Sequence, residues 1–162
     1  MGNICRSPSA EGFLRAGLER AGVTDRVRAD SAGTHGYHLG QPPDSRAIRT
    51  AAEFGVDISG LRARRVQASD LRNFDLVIAM DQANLRALEQ IGRGLDGDSP
   101  RAELGLMMDY SSRFRDLREV PDPYYGGLAD FRYMCELLED ATGGLLDSLS
   151  RRLTGDQETR VR

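Results

Sequence analysis

The fold class is decided by the stretch Phe74-Asp75-Leu76-Val77-Ile78-Ala79-Met80, in which six of seven residues are apolar. A nearly continuous apolar run of this length is typical of a strand whose two sheet faces are both covered by helices. Asp81 follows as a good helix N-cap, and Leu85, Leu88 and Ile91 then recur at helical spacing. A buried strand that leads directly into an amphipathic helix predicts an α/β protein with a parallel sheet.

The same alternation extends along the rest of the chain. At the first helix, Ser7 is predicted to cap, Pro8 to take the first helical position, and Gly22 to end the helix. A strand is predicted over residues 27–32, and Asp44 is predicted to cap the second helix. The further predicted features are the glycine-rich end of the third helix at 92–97, a short strand over 104–108, and a long helix with apolar positions at Phe131, Met134, Cys135, Leu138, Ala141, Leu145 and Leu149.

Length and composition favour a single domain. The 162 residues are 40% hydrophobic and 29% charged, which predicts one domain over residues 1–150 and a polar, frayed tail over 151–162. A net charge of -3 gives no basic surface for nucleic acid or an anionic membrane. Two cysteines are too few for a disulfide scaffold, and no apolar run approaches the roughly 20 residues of a membrane helix. We therefore predict a cytoplasmic protein without a nucleic-acid or membrane partner.

The opening loop has the composition of an anion site. Gly2 permits unusual backbone angles, the amides of Gly2, Asn3, Ile4, Cys5 and Arg6 can converge, and the helix that follows adds the positive end of its dipole. The Arg6 guanidinium suits two oxygens of a phosphate group. The alternative is a tight turn that carries a surface arginine.

Three blocks of the sequence resemble the low-molecular-weight protein tyrosine phosphatases. They are residues 2–12, residues 30–34 together with 40–47, and residues 122–127, with weaker matches at 57–59 and 74–81. The resemblance implies a flavodoxin-like four-stranded parallel sheet with helices on both faces. It also implies hydrolysis of phosphotyrosine in proteins through a phosphocysteine intermediate, with no cofactor and no metal.

The nucleophile of that family stands six positions before the arginine of a Cys-x5-Arg-Ser pattern. Arg6-Ser7 matches the end of the pattern, so the nucleophile position directly precedes Met1. We expect these 162 residues to lack both that cysteine and the central first strand before it, and to be inactive alone. The simplest account is that they begin at an internal methionine of a longer protein; the alternative is a genuinely shortened gene product. The neighbours of that strand would then have to pair across a gap. Cys5 does not substitute, because Glu11 stands six positions after it; Cys135 is predicted to be a core residue.

The resemblance also assigns roles to single residues. Arg6 would hold phosphate oxygens, Ser7 would donate a hydrogen bond to the thiolate, and Asn3 would brace the loop. Asp122 would protonate the leaving phenolate and then act as base toward water. The alternatives are a helix cap for Ser7, a left-handed turn for Asn3 and ordinary Asp-Pro turn chemistry for Asp122.

Aromatic residues are candidates for the rim of the site. Tyr124 and Tyr125 follow the proposed acid, and Tyr37 falls where the family carries another aromatic residue; all three are predicted to stack on a substrate ring, with amphipathic packing as the alternative. His35 and His38 lie three apart without a third ligand nearby, so a metal site is not predicted.

Several functions compete on this scaffold. By the resemblance, tyrosine-directed members carry an aliphatic residue at the position of Ile4, whereas relatives that act on arginine phosphate carry threonine. Arsenate reductase needs further cysteines. The competitor from another class is a non-catalytic phosphate or phosphoprotein binder. We predict a tyrosine-phosphorylated protein as substrate and inorganic phosphate as product, and a solvated face for the basic run at Arg62, Arg64 and Arg65.

Overall fold

Helices alternate with a short parallel sheet. The computed structural model describes residues 2–94 and 102–159, with side chains as far as 154. Its elements are α1 (Arg6–Ala21), α2 (Ser45–Glu53), α3 (Asp70–Asn73), β1 (Leu76–Ala79), α4 (Gln82–Arg93), β2 (Glu103–Leu106), a 3-10 helix (Met107–Tyr110) and α5 (Leu128–Thr159). Helix α4 ends where the glycine-rich stretch begins, and positions 95–97 of that stretch lie outside the described residues.

The caps of three helices are confirmed. The Asp44 carboxylate accepts a hydrogen bond from the backbone N–H of Arg46, and the Asp81 carboxylate accepts one from that of Asn84. Gly22 adopts the left-handed conformation (φ 67°) that ends α1, a backbone that favours glycine. These local signals place the helices because each side chain satisfies backbone groups within one turn.

The predicted start of α1 is wrong by two residues. The helix begins at Arg6 with Cys5 as its N-cap, so Ser7 and Pro8 both lie inside the first turn. Proline is tolerated there because the first N–H groups of a helix have no intrahelical partner. The Ser7 hydroxyl is instead engaged by the Asn3 side chain.

The sheet contains two strands in the described part of the chain. β1 and β2 pair in parallel, from Leu76 opposite Glu103 to Ala79 opposite Leu106. The strand predicted over 27–32 is not formed: this segment has no regular structure, and a single parallel bridge joins Gly33 to Arg65. The physical reason is that a strand needs a hydrogen-bonded neighbour. Segment 29–33 does not pair with β1, and a cavity separates the two.

Two hydrophobic clusters cover the two faces of this sheet. One joins α1, α2 and α5 through residues such as Phe13, Ala51 and Phe131, and it includes Cys135, whose predicted core position is confirmed. The other packs Leu88 and neighbouring side chains against Ala79. Both clusters are apolar, so both faces of the sheet are covered by helices, as predicted.

Two features depart from the sequence analysis. Leu76, Val77 and Ile78 are only half-buried, although their pattern predicted full burial. α5 continues through Thr159, so the segment from 151 to 159 is helical rather than frayed. In the stretches that the structure describes, no helix has the length and apolarity to cross a bilayer.

Candidate active site

Asn3 braces the opening loop from inside. Its backbone is left-handed (φ 61°), and its side chain is 4% exposed. The amide Nδ2 donates to the hydroxyls of Ser7 and Ser31, both at 2.9 Å, and Oδ1 accepts from the backbone N–H of Arg64 at 2.9 Å. The bracing role and the left-handed turn, which were alternatives in the sequence, are therefore both present in one residue.

The brace continues into helix α1. The Ser31 hydroxyl donates to the Glu11 carboxylate at 2.6 Å, and Glu11 pairs with Arg15 at 2.5 Å. Glu11 is buried, so its charge needs these partners. The chain of contacts ties the loop to α1 and to the segment that precedes Gly33.

The Ser7 hydroxyl lies at the same loop and accepts the hydrogen bond from Asn3. A hydroxyl has one hydrogen to donate, and a bond that it accepts does not use that hydrogen. Ser7 can therefore donate to a further acceptor at the loop.

Arg6 lies among carboxylates at the carboxyl end of β1. Its guanidinium contacts the Asp81 carboxylate at 2.7 Å and the Asp122 carboxylate at 3.2 Å, and it donates to the carbonyl oxygen of Val120 at 2.9 Å. Burial opposes ionisation of Asp81, but the backbone N–H of Asn84 and the Arg6 guanidinium outweigh it and hold the pKa of Asp81 below its usual value. The Arg6 side chain is thus buried and held in one orientation by three acceptors.

Asp122 is the accessible member of this group. Its side chain is 31% exposed, whereas that of Arg6 is 5% exposed. One carboxylate oxygen faces Arg6, and the other accepts from the backbone N–H of Tyr124 at 3.1 Å. The geometry holds a carboxyl group at the entrance of the site, within reach of the guanidinium.

Arg46 locks the loop that carries Asp122. Its guanidinium donates to the carbonyl oxygens of Tyr124 and Gly126, each at 3.1 Å, and pairs with Asp44 at 2.8 Å. It also lies over the ring of Phe131, 4.5 Å from the centroid. The hydrogen bonds from Arg46 lower the pKa of the Asp44 carboxyl, so the pair is ionised at neutral pH.

The pair of Asp44 and Arg46 also contacts the opening loop at residues 2–6. The backbone N–H of Asp44 donates to the carbonyl oxygen of Ile4 at 2.8 Å. Arg46 and Asp44 therefore connect the loop at 2–6 with the loop at 122–126.

Three tyrosines line the cavity that contains the opening loop. Tyr125 is 97% exposed, Tyr37 is 75% exposed and Tyr124 is 38% exposed. Tyr124 contacts the His38 ring, with 6.3 Å between centroids. A Cβ on Gly2 would lie 2.5 Å from that ring. Glycine is therefore needed at this position because the His38 side chain comes so close.

Both cysteines are free, buried thiols. Burial, reinforced by the Asp44 and Asp122 carboxylates, raises the pKa of the Cys5 thiol from 9.0 to about 12. Burial also raises the pKa of Cys135 to about 12. Both side chains are neutral thiols at physiological pH, which agrees with the expectation that Cys5 does not act as the nucleophile.

The basic run is not a uniform solvated face. Arg62 and Arg65 are exposed, but the Arg64 side chain pairs with Asp70 at 2.8 Å and Asp30 at 3.0 Å. The backbone of Arg64 also holds Asn3. The prediction is wrong for Arg64, because its neighbours on other segments are invisible in the local pattern.

All predicted site residues line one cavity of about 440 Å³. Four residues that hold them were not predicted from the sequence, and these are Glu11, Ser31, Arg46 and Asp81. Asp81 could have been identified as a site residue from the sequence. It directly follows a predicted parallel strand, and ligands bind at the carboxyl ends of such strands. Across the described ranges no group of three or more His, Cys, Asp or Glu is placed to hold a metal ion.

Comparisons with known proteins agree with this architecture. The family model for "Low molecular weight phosphotyrosine protein phosphatase" matches residues 1–155. A putative low molecular weight protein-tyrosine-phosphatase from Synechocystis is 44% identical over 154 residues, which is 94% of each chain.

Solved structures match as well. A protein tyrosine phosphatase from Entamoeba histolytica, crystallised with Hepes in its active site, aligns with a TM-score of 0.83 and 36% identity over 93% of each chain. A Drosophila arginine phosphatase aligns with a TM-score of 0.84 and 29% identity over 92% of this chain and 93% of that one. The α/β fold with a parallel sheet, of the flavodoxin-like kind, is therefore confirmed. The described residues form two strands, whereas the sequence analysis expected three of the four strands in this chain. The structure combines a braced opening loop at residues 2–6, a buried arginine and a carboxyl group at the entrance. The chain belongs to the low molecular weight phosphotyrosine protein phosphatase family.

Proposed function

We propose that this domain hydrolyses phosphotyrosine in proteins, with the phosphate group held by the loop at 2–6 and the nucleophilic thiolate supplied by the cysteine that the family pattern implies six positions before Arg6. The observation that supports this most is the buried Arg6, which lies between the exposed carboxyl of Asp122 and the carboxyl end of β1. A guanidinium in that place suits the equatorial oxygens of a phosphoryl group.

In the first step the thiolate sulfur attacks phosphorus in line with the phenolic oxygen. The sulfur–phosphorus bond forms while the bond from phosphorus to the phenolic oxygen breaks. Asp122, protonated, gives its proton to the leaving oxygen. The amides of the loop and Arg6 stabilise the charge on the three remaining oxygens, and the Ser7 hydroxyl donates to the thiolate.

In the second step Asp122, now ionised, accepts a proton from water. The water oxygen attacks phosphorus, the sulfur–phosphorus bond breaks, and inorganic phosphate leaves with the thiolate restored. The carboxyl group therefore exchanges one proton per step and ends the cycle protonated.

The aromatic rim and Ile4 support an aryl substrate. Tyr37, Tyr124 and Tyr125 present flat surfaces beside the entrance, where a phenyl ring attached to a bound phosphate would lie. One structural neighbour is an arginine phosphatase, so phosphoarginine is the alternative substrate, and the isoleucine at position 4 favours phosphotyrosine by the resemblance.

The test compares three forms of the protein: the 162 residues, the same chain preceded by an apolar strand that ends in cysteine, and that longer chain with serine in place of this cysteine. Only the cysteine form is expected to hydrolyse p-nitrophenyl phosphate and a phosphotyrosyl peptide. Preference for a phosphoarginyl peptide would exclude the proposed substrate. Turnover by the serine form would exclude the thiolate mechanism.

Asp122→Asn in the cysteine form tests the general acid. Hydrolysis of esters with poor leaving groups is expected to fall most, because a good leaving group needs no proton. Glu119→Gln is a matched control, because it removes an acidic group that caps the backbone N–H of Gln82 and does not contact Arg6. An equal loss for good and poor leaving groups would remove Asp122 from this role.

The 162 residues alone support a second function, which is phosphate binding without turnover. Both of their cysteines are buried thiols with a pKa near 12. We expect the 162-residue chain to bind inorganic phosphate through Arg6 and to show no hydrolysis. A phosphoprotein partner, the domain limits of 1–150 and a cytoplasmic location remain predictions from the sequence.

A further inference from the structure

The loop that carries Asp122 is attached in two chemically different ways. First, the Asp122 carboxylate contacts the Arg6 guanidinium at 3.2 Å. Second, the Arg46 guanidinium donates to the backbone carbonyl oxygens of Tyr124 and Gly126, each at 3.1 Å. The first attachment depends on the charge of a carboxylate, whereas the second uses backbone carbonyls, which do not titrate.

The contact between Asp122 and Arg6 is weakest in the reacting state. A carboxylic acid that gives its proton to the leaving oxygen is neutral before the transfer, so it lacks the charge that pairs with a guanidinium. A bound phosphoryl group also brings oxygens that compete for the same guanidinium nitrogens. The group that holds Asp122 during the first step must therefore act on another part of its loop.

Arg46 is fixed in place by groups other than that loop. Its Nε and Nη2 donate to the two carboxylate oxygens of Asp44, at 3.0 and 2.8 Å. The guanidinium also lies 4.5 Å from the centroid of the fully buried Phe131 ring, a distance that suits a cation–π contact. The planar fork thus binds Asp44 and the loop carbonyls at the same time, which a lysine ammonium cannot do.

The start of α2 supports both loops of the site. The backbone N–H of Asp44 donates to the carbonyl oxygen of Ile4 at 2.8 Å, and the Asp44 side chain holds Arg46. A common support fixes the distance between a phosphate bound at 2–6 and the carboxyl group of the second loop. Arg46 is not among the described residues that line the cavity, so it acts through the loop rather than on the substrate.

We propose that Arg46 is the positioning residue of the general acid, which keeps Asp122 at the leaving oxygen while Arg6 binds the phosphate group. A displacement of about 1 Å at a reacting group can cost on the order of a hundredfold in rate, so the hold on the loop matters for proton transfer. This role rests on the proposed function, whereas the hold itself does not.

The kinetic test compares Arg46→Lys with Arg132→Lys in the cysteine form. Both replace an arginine that pairs with a carboxylate of α2, but Arg132 pairs with Glu53 instead of Asp44. The quantity measured is kcat/KM, because it reports transfer to the thiolate and excludes the second step.

Arg46→Lys is expected to lower kcat/KM roughly tenfold or more for phenyl phosphate, a poor leaving group, and by about threefold at most for p-nitrophenyl phosphate. Arg132→Lys is expected to leave both values within about twofold, because its ion pair is exposed. An equal loss for both esters in Arg46→Lys would overturn the proposal.

Asp122→Asn separates positioning from a general defect of folding. Without the acid, Arg46 has no proton donor to position, so Arg46→Lys is expected to change kcat/KM for phenyl phosphate by less than about twofold in the Asp122→Asn background. A merely structural defect lowers activity in both backgrounds. An undiminished effect in the Asp122→Asn background would therefore overturn the proposal.

Asp44→Asn serves as the second variant if Arg46→Lys is unfolded. Asparagine keeps a side-chain oxygen that can cap α2 and keeps the backbone N–H that binds Ile4, but it removes one of the two oxygens that hold Arg46. A selective loss of about threefold for phenyl phosphate is expected, since one hydrogen bond to the guanidinium is lost. Absence of a selective loss would count against Arg46.

Hydrogen exchange on the 162-residue protein separates this proposal from the proposed function. The Gly126 N–H donates to the carbonyl oxygen of Pro123 at 2.9 Å. With inorganic phosphate present, this amide is expected to stay protected in the wild type and to exchange roughly tenfold faster in Arg46→Lys. If the cysteine form hydrolyses neither ester, the proposed function is refuted and exchange alone decides whether Arg46 holds the loop. Equal exchange in Arg46→Lys and Arg132→Lys would refute that hold.

Discussion

Replacement of Asn3 tests how the anion loop is held. Asn3→Ala removes three hydrogen bonds, to Ser7, Ser31 and the Arg64 amide. At about 1 kcal/mol net for each bond, the loss is about 3 kcal/mol. An alanine at φ 61° adds about 1 kcal/mol of backbone strain, for a total of about 4 kcal/mol.

Asn3→Gly separates the two contributions. Glycine loses the same three hydrogen bonds but adopts the left-handed backbone without strain, so its cost is about 3 kcal/mol. A domain of ordinary stability, about 5–15 kcal/mol, remains folded with either change. The difference of about 1 kcal/mol between the variants measures the preference of this left-handed backbone position for glycine over alanine.

The assay is urea unfolding followed by far-ultraviolet circular dichroism, since the chain contains no tryptophan. With a slope of about 2 kcal/mol per molar urea, the midpoint is expected to fall by about 2 M for alanine and about 1.5 M for glycine. Asn73→Ala, at the exposed end of α3, is the matched control and is expected to stay within about 0.5 kcal/mol. Equal midpoints for Asn3→Ala and the control would refute the bracing role, and equal costs for alanine and glycine would refute the strain.

Three further changes test the packing, the thiols and the acid loop. Gly144→Ala is expected to destabilise the protein by about 2 kcal/mol, because the added Cβ would collide with the last carbonyl of the 3-10 helix. Gly143→Ala, where the Cβ would enter open space, is expected to stabilise the protein by up to about 1 kcal/mol. Urea midpoints that move in the same direction for both variants would contradict this. Burial raises the pKa of Cys5 and Cys135 from 9.0 to about 12, so unfolding above pH 9 releases protons from these thiols. The free energy of unfolding should therefore fall between pH 9 and 12, by about 1.4 kcal/mol per pH unit for each thiol. Replacing either cysteine with alanine should reduce that slope, and an unchanged slope would show that the thiols are not its source. Arg46→Lys should accelerate hydrogen exchange at 124–126 by roughly tenfold or more, because one ammonium cannot replace the planar fork; unchanged exchange would show that the loop is held without it.

Local signals predicted the helices well. Asp44, Asp81 and Gly22 act on backbone groups within one turn, so their effect is readable without tertiary structure. The apolar stripe of α5 was equally readable, because its 3.6-residue period is a property of the helix itself. Phe131 and Cys135 are accordingly buried in the core.

Strand formation was less predictable. The pattern of residues 27–32 favours a strand, yet hydrogen bonds in a sheet come from a different segment, and segment 29–33 has a cavity on the side toward β1. The half-burial of Leu76 has the same cause. No local pattern reports whether the neighbouring position in a sheet is filled.

The sequence by itself determined the α/β class and the helix ends set by Asp44, Asp81 and Gly22, since these depend on residues adjacent in the chain. Only the tertiary structure decided that Asp81 pairs with Arg6 across 75 positions, that Arg46 holds the loop of Asp122, and that a cavity lies beside β1. The reason is that an ion pair, a brace or a cavity depends on distances between segments, and those distances are set by the packing of helices on the sheet rather than by the spacing of residues along the chain.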